Sequence, residues 1–279
     1  MDAPHGPLYR EHAPAPALLP WVECYWTLSG ERAAGADRRR LVLPDGCMDV
    51  IFRLETARGC AAEGWGPPRS VVGTMTRPLS VGGSEGARVV GVRFHPGALP
   101  AFLDVSAREL VDGRADLDDL RAGGAMEAWE LLHQEGTSVL DGLLLAWLGR
   151  SGRRDDAAVR RAAALLARSG AGATVPHLTR DLGLGRRQLE RRFAHAVGVP
   201  PGTLGRILRF RRALTLLGLH AEWALARVAL EAGYHDQPHF TREFRSLAGT
   251  TPGDHRRRRA VEEPAGRDAS VQDPPPPGA

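Results

Sequence analysis

Lysine and asparagine are missing from all 279 residues, and every one of the 37 basic residues is arginine. A phosphate-binding-loop lysine, an amine for Schiff-base chemistry and an N-glycosylation acceptor are therefore excluded. Lysine and asparagine codons are AT-rich, so a GC-rich genome is sufficient cause for both gaps, and the bias alone says nothing about fold. Cysteine is scarce too. Cys24, Cys47 and Cys60 are odd in number and form no C-x-x-C pair. That argues against a disulfide framework and a structural zinc cluster, and fits a reducing compartment. No stretch of about 18 apolar residues is present to span a bilayer. The opening MDAPHGPLYR lacks the basic-then-apolar layout of a signal peptide. The expectation is a cytoplasmic protein with no membrane partner.

What is there becomes informative when the charge is divided. The total is +4, but residues 1–150 hold 15 arginines against 20 carboxylates, net −5, whereas residues 151–279 hold 22 against 13, net +9. A basic half beside an acidic one suggests a module that meets a polyanion joined to one that does not. Two domains also suit the length, at about 100–200 residues each.

The texture divides the chain at similar places. Residues 1–20 are rich in Pro and Ala and read as an irregular lead-in. Short runs follow at 21–28, 40–43, 48–54, 70–73 and 88–94, rich in Val, Ile and aromatics and broken by Gly, Pro and Asp. They predict strands of a small antiparallel sandwich or barrel. Segments 97–103, 106–111, 124–134 and 138–148 read as helices, and in the last Val139, Leu140, Leu143, Leu144, Trp147 and Leu148 share one broad face. A polar linker at 149–154 separates this domain, 21–148, from a helical one at 155–259, and the tail 260–279 has too little apolar content to pack and is expected to be disordered.

Within the basic half, TVPHLTRDLGLGRRQLERRFAHAV (174–197) has Thr174 placed as an N-cap, Pro176 in the first turn and Gly183 as a helix stop. Leu189, Phe193 and Val197 then recur on one face from about Arg186, which turns Arg187, Glu190 and Arg191 outward. Two short helices about a glycine turn, the second basic outside, describe a helix-turn-helix. The layout repeats at 222–247. Gly233 stops one helix, Asp236 caps the next, and Phe240, Phe244 and Leu247 face inward, leaving Gln237, His239 and Arg242 exposed. A helix at about 203–217 joins the two units.

The segment GYHDQPHFTREFRSLAGTTPGDHRR resembles the second-half signature of AraC/XylS-type transcriptional regulators, and the first unit with LRFRRAL (208–214) resembles the rest of that family's DNA-binding domain. The resemblance covers roughly 155–259 and implies seven helices, with two recognition helices entering successive major grooves of promoter DNA. Carried over by position, the base-facing residues are Arg187, Glu190 and Arg191 in the first unit and Gln237, His239 and Arg242 in the second. The chemistry suits: Arg pairs bidentately with guanine, Gln with adenine, and Glu accepts from cytosine. Gly185 departs from the usual Ser at the first recognition-helix cap, and Leu204 and His255 from common aromatics. For His239, supporting the fold or meeting phosphate instead of a base is the lesser alternative. The run Arg256–Arg259 reads as a phosphate contact or a solvated end.

For the acidic half, LVLPDGCMDVIF (41–52) and VVGVRFHPGALPAFL (89–103) resemble a sensor-like domain that precedes such modules. The implied fold class is α+β in two domains: a β-rich, cupin-like barrel or sandwich with trailing helices, then an all-α domain with two helix-turn-helix units. An unidentified small-molecule effector is the expected ligand, with Trp26, Cys47, Phe52, Trp65 and Phe94 as candidate lining, although aromatics on strands are also ordinary core. Helix 138–148 is either a homodimer contact or internal packing, and RNA polymerase is a further partner if the protein activates. The histidines are scattered, so no metal or cofactor is expected. One alternative is an enzyme, a DNA-repair methyl acceptor using a cysteine, for which none of the three cysteines has the required basic or metal-bound clustering; another is a thiol or electrophile sensor built on Cys47, a residue that also reads as a small core hydrophobe.

Overall fold

The computed structural model describes residues 8–29, 40–55, 66–82, 88–120, 125–151, 155–169 and 174–262. Cys60, Trp65, linker residues 152–154 and the tail beyond 262 lie outside the described residues.

Among the described residues eight strands precede the α-helices: β1 (Leu8–His12), β2 (Val22–Ser29), β3 (Arg40–Val42), β4 (Met48–Glu55), β5 (Arg69–Val72), β6 (Leu79–Val81), β7 (Arg88–Phe94) and β8 (Arg114–Asp116). Six form one antiparallel sheet in the order β1-β2-β7-β4-β5-β8, and β3 pairs with β6 in a two-stranded ribbon. The lead-in was expected to be irregular, but β1 lies in it. Its sequence LYREH is too polar to announce a strand, and the bonds to β2 supply what composition does not. The later part of the lead-in is tied down as well, since the Ala15 amide and Tyr25 hydroxyl both donate to Asp141 Oδ1, at 2.8 and 2.7 Å.

Alternation gives the sheet two unlike faces. Met48, Val50, Phe52, Leu54, Val90, Val92 and Phe94 pack with Leu99, Phe102 and Leu110 beneath two helices, α1 (Ala125–Glu135) and α2 (Leu140–Ser151). The other face carries Cys24, Trp26, Leu28 and Val89. There the Trp26 indole lies across Gly91, occupying the space of the absent side chain, and its Nε1 donates to Asp49 at 2.8 Å. The helices expected at 97–103 and 106–111 are single turns of 3-10 helix, Leu99–Ala101 and Ala107–Leu110, because Gly97, Pro100 and the Asp104–Val105 break leave no room for more.

Seven helices follow Asp155 among the described residues: α3 (Ala157–Ser169), α4 (Val175–Leu182), α5 (Arg186–Ala196), α6 (Pro201–Leu219), α7 (Leu225–Ala232), α8 (Gln237–Ala248) and α9 (Pro252–Glu262). Two cores form on either side of α6. Leu204 joins Leu178, Leu189 and Phe193, while Ile207, Phe210 and Leu214 join Val228, Phe240 and Phe244.

The two halves are fitted closely to one another. Thr74 Oγ1 donates to the Val197 carbonyl at 2.6 Å in a buried position. Gly198, at φ 87°, admits the Ala107 carbonyl where a Cβ would stand 2.7 Å away. Gly46, at φ 86°, likewise admits Leu204 of α6. Beside it, Arg211 of α6 donates to Glu23 Oε1 at 2.5 Å, and the Cys47 thiol donates to Glu23 Oε2 at 3.0 Å. Burial alone would raise the Glu23 pKa, but the charge and hydrogen bond of Arg211 outweigh it and hold the carboxyl at about 2. A depressed carboxylate contributes stability above its unfolded pKa and loses it as pH falls toward the folded value. The seam is thus intact at neutral pH and weakens only below the ordinary Glu range.

Two outcomes follow for stability. Glu23→Gln takes away the carboxylate that offsets the Arg211 charge and should cost about 3 kcal/mol, whereas pairing Glu23→Leu with Arg211→Met should recover most of it; thermal melts of both variants check this. Gly91→Ala drives a methyl into Trp26 and should cost about 1–3 kcal/mol, with the Trp26 fluorescence shifted.

Candidate nucleic-acid interface

Each helix-turn-helix is set by a glycine in the left-handed region. Gly183, φ 63°, ends α4, and Gly233, φ 93°, ends α7. Each reverses the chain so that the following helix lies with its apolar side inward. Leu189 and Phe193 of α5 and Phe240 and Phe244 of α8 are wholly buried. The helix starts differ in kind. Asp236 caps α8 in full, its Oδ1 accepting from the His239 amide at 2.7 Å. Thr174 sits at the N-cap of α4 but makes no cap bond, and its hydroxyl meets His177 Nδ1 at 3.2 Å instead. Gly185, at the head of α5, has no side chain to offer.

The buried stripes leave outer faces as the spacing predicted. Arg187 and Arg191 on α5 and Gln237 and Arg242 on α8 are exposed, and none has an ion pair or side-chain hydrogen bond within the described residues. Glu190 is different: Arg186 Nε donates to its Oε1 at 2.9 Å, one turn away. His239 is half-buried, edge-on to Tyr234, with Nε2 3.5 Å from Glu243 Oε1. It serves the packing of the second unit while lying beside the exposed face. Spacing also leaves Gln188 and Arg245 exposed on these helices, which the sequence reading passed over; the same inward stripes that revealed Arg191 and Arg242 would have found them.

Glu243 could not be found that way. It accepts from Arg206 Nε at 2.9 Å and lies 3.3 Å from Arg209 of α6, residues more than 30 positions earlier. This ion-pair cluster fixes α8 against α6. At the far end, His255 packs edge-on to Phe244, taking the place of an aromatic residue. The basic run is divided: Arg256 donates to the Trp223 carbonyl at 2.8 Å and Arg259 lies against Gly218, while Arg257 and Arg258 face solvent.

The proposed effector lining does not converge. Phe52 and Phe94 are wholly buried under the helices, whereas Trp26 is on the opposite face of the sheet. Trp65 lies outside the described residues. Cys47 belongs to the seam with Glu23 and Arg211, and burial together with the Glu23 charge raises its thiol pKa well above the usual range. Cys24 is pushed up to about 12, chiefly by burial. The apolar face of helix 138–148 packs internally, with Leu140, Leu144 and Trp147 in the core and Leu145 exposed, as the internal-packing alternative expects. No three His, Cys, Asp or Glu side chains among the described residues sit close enough to share a metal ion, and no helix there is long and apolar enough to cross a membrane.

Comparison with known proteins sorts the two halves. Residues 178–258 match a family described as a helix-turn-helix domain, and residues 10–116 match a domain of unknown function (DUF6597). The F1 operon positive regulatory protein of Yersinia pestis is 38% identical over 74 residues, 26% of this chain and 24% of that protein, so the match spans about a quarter of the relative. The C-terminal domain of AraT, a response regulator from Geobacillus stearothermophilus, is 25% identical with a TM-score of 0.36, covering 38% of this chain and 89% of that one. ToxT from Vibrio cholerae O395 is 12% identical with a TM-score of 0.42, covering 79% and 94%.

The contrast between the caps is testable. Asp236→Ala should cost about 1 kcal/mol, and Thr174→Ala no more than a few tenths, because only Asp236 satisfies a helix amide. Denaturant titration of the two variants distinguishes them.

Proposed function

We infer that this chain, which carries a helix-turn-helix domain of the AraC type at residues 178–258, is a sequence-specific DNA-binding transcription regulator whose N-terminal half senses a small molecule. One observation supports the DNA-reading role above all. Two recognition helices, α5 and α8, present Arg187, Arg191, Gln237 and Arg242 without a side-chain partner among the described residues, Arg191 and Arg242 from equivalent positions, while their apolar faces are sealed. Arg187, Arg191 and Arg242 suit guanine and Gln237 suits adenine. Glu190, held by Arg186, restricts what can lie beside it, which a sequence-blind binder would not need. Exposed Arg257 and Arg258 suit phosphates. The units are proposed to enter successive major grooves on one side of the duplex.

Control by the N-terminal half is supported by the seam. A ligand that binds differently to two arrangements of that half shifts their balance, and α6 is in direct contact with it through Arg211 and Leu204. A methyl-acceptor or thiol-sensing role gains nothing from Cys24 or Cys47, whose thiolates are disfavoured.

Arg191→Ala and Arg242→Ala should each weaken binding to a specific duplex by about 1–3 kcal/mol and relax base preference. Titration of each variant against specific and scrambled duplexes is the check; equal losses on both would show that these arginines meet phosphates only.

A further inference from the structure

The two recognition helices carry opposite charges at one matched position. Leu189 and Phe193 of α5 correspond to Phe240 and Phe244 of α8, so Arg192 stands where Glu243 stands, directly after Arg191 and Arg242 respectively. Both are half-buried, on the flank between the sealed stripe and the outer face. In each unit this flank ties an arginine to a carboxylate. Arg192 donates to Asp156 at the start of α3, from Nε at 2.7 Å and Nη2 at 2.5 Å. In the second unit the carboxylate sits on the recognition helix itself, and the arginines come to it from α6.

Three side chains crowd Glu243 Oε1: Arg206 Nε at 2.9 Å, Arg209 Nη2 at 3.4 Å and His239 Nε2 at 3.5 Å. The two arginines are not alike. Arg209 is 19% exposed, and its guanidinium lies 5.6 Å from the centre of the Tyr234 ring, so it is enclosed. Arg206 is 44% exposed, and among the described residues Glu243 is its one carboxylate partner. An accessible cation is thus drawn to within one helical turn of His239 and beside Arg242, yet engaged. A phosphate would have to displace a carboxylate to reach it.

We propose that Glu243 sets discrimination in the second unit by withholding Arg206 from the phosphate backbone while tethering α8 to α6. The assignment rests on the DNA-reading function above. A phosphate contact carries no sequence information, so an arginine freed beside α8 would strengthen binding to any duplex. Base contacts need α8 held at one angle, and losing the tether weakens those contacts alone. Both changes narrow the gap between specific and scrambled DNA. Glu243 is a positioning residue, acting through Arg206 and α8 rather than on the bases.

The salt dependence of DNA binding by the full chain separates withholding from plain structural support. The probes are a duplex enriched from a random pool by the wild-type chain and a scrambled version of it. With Glu243→Gln, the slope of log affinity against log salt on the scrambled duplex should steepen by about 0.9, the increment for one added phosphate contact. Discrimination between the duplexes should fall by about threefold or more. With Arg206→Gln the slope should move by no more than about 0.3, because the arginine removed is not on phosphate. That second variant decides the matter where Glu243→Gln does not fold. An unchanged slope or undiminished discrimination in folded Glu243→Gln would overturn the assignment, since loosened packing alone releases no counterions. A slope shallower by about 0.9 with Arg206→Gln would overturn it too, placing Arg206 on phosphate already. Failure of the wild-type chain to enrich any duplex refutes the regulator and this assignment together, while enrichment with any of those overturning results refutes only the role of Glu243.

Discussion

The ion pair between Glu23 and Arg211 joins groups 188 positions apart, and the arrangement of the interface depends on it. Arg211 belongs to α6, the helix that contributes to the cores of both helix-turn-helix units. Whatever holds α6 also holds α5 and α8. The N-terminal half holds it with a charge pair, the Cys47 thiol on the same carboxylate, and glycines at 46 and 198 that let backbone and side chains approach. A charge pair in such a place is costly to desolvate and strongly directional, which suits it to fixing one arrangement more than to adding stability.

The absence of lysine takes on structural meaning here. Arginine must serve every cationic role, and its neighbours sort the copies. Arg206 and Arg209 converge on Glu243 and lock α8 to α6; Arg192 donates to Asp156 and locks α5 to the start of α3. Arg187, Arg191 and Arg242 have no such partner among the described residues and remain free to meet a polyanion. Residue type is uniform, so function is divided by carboxylate placement.

Much of the basic half was legible because its determinants are local. Gly183, Gly233 and Asp236 act within a turn of themselves, and the stripes through Phe193 and Phe244 need only helical periodicity. The sheet was read less fully. β6 and β8 have three residues each and exist by virtue of partners far along the chain. Nor could the aromatics be sorted by face: a register shift between Val22 and Cys24 decides which way Trp26 points, and that lies in the pairing with β7. Glu23 and Glu243 escaped notice for the same reason, since each matters through arginines remote in sequence.

Two recognition helices, held at a fixed separation by α6, are proposed to read one face of a duplex together. A base-methylation interference footprint of the full chain on its specific site tests it most directly. The account predicts two patches of guanine interference in successive major grooves, centred about 10 base pairs apart on the same side of the helix. A single patch, or uniform weak interference along the duplex, would contradict it.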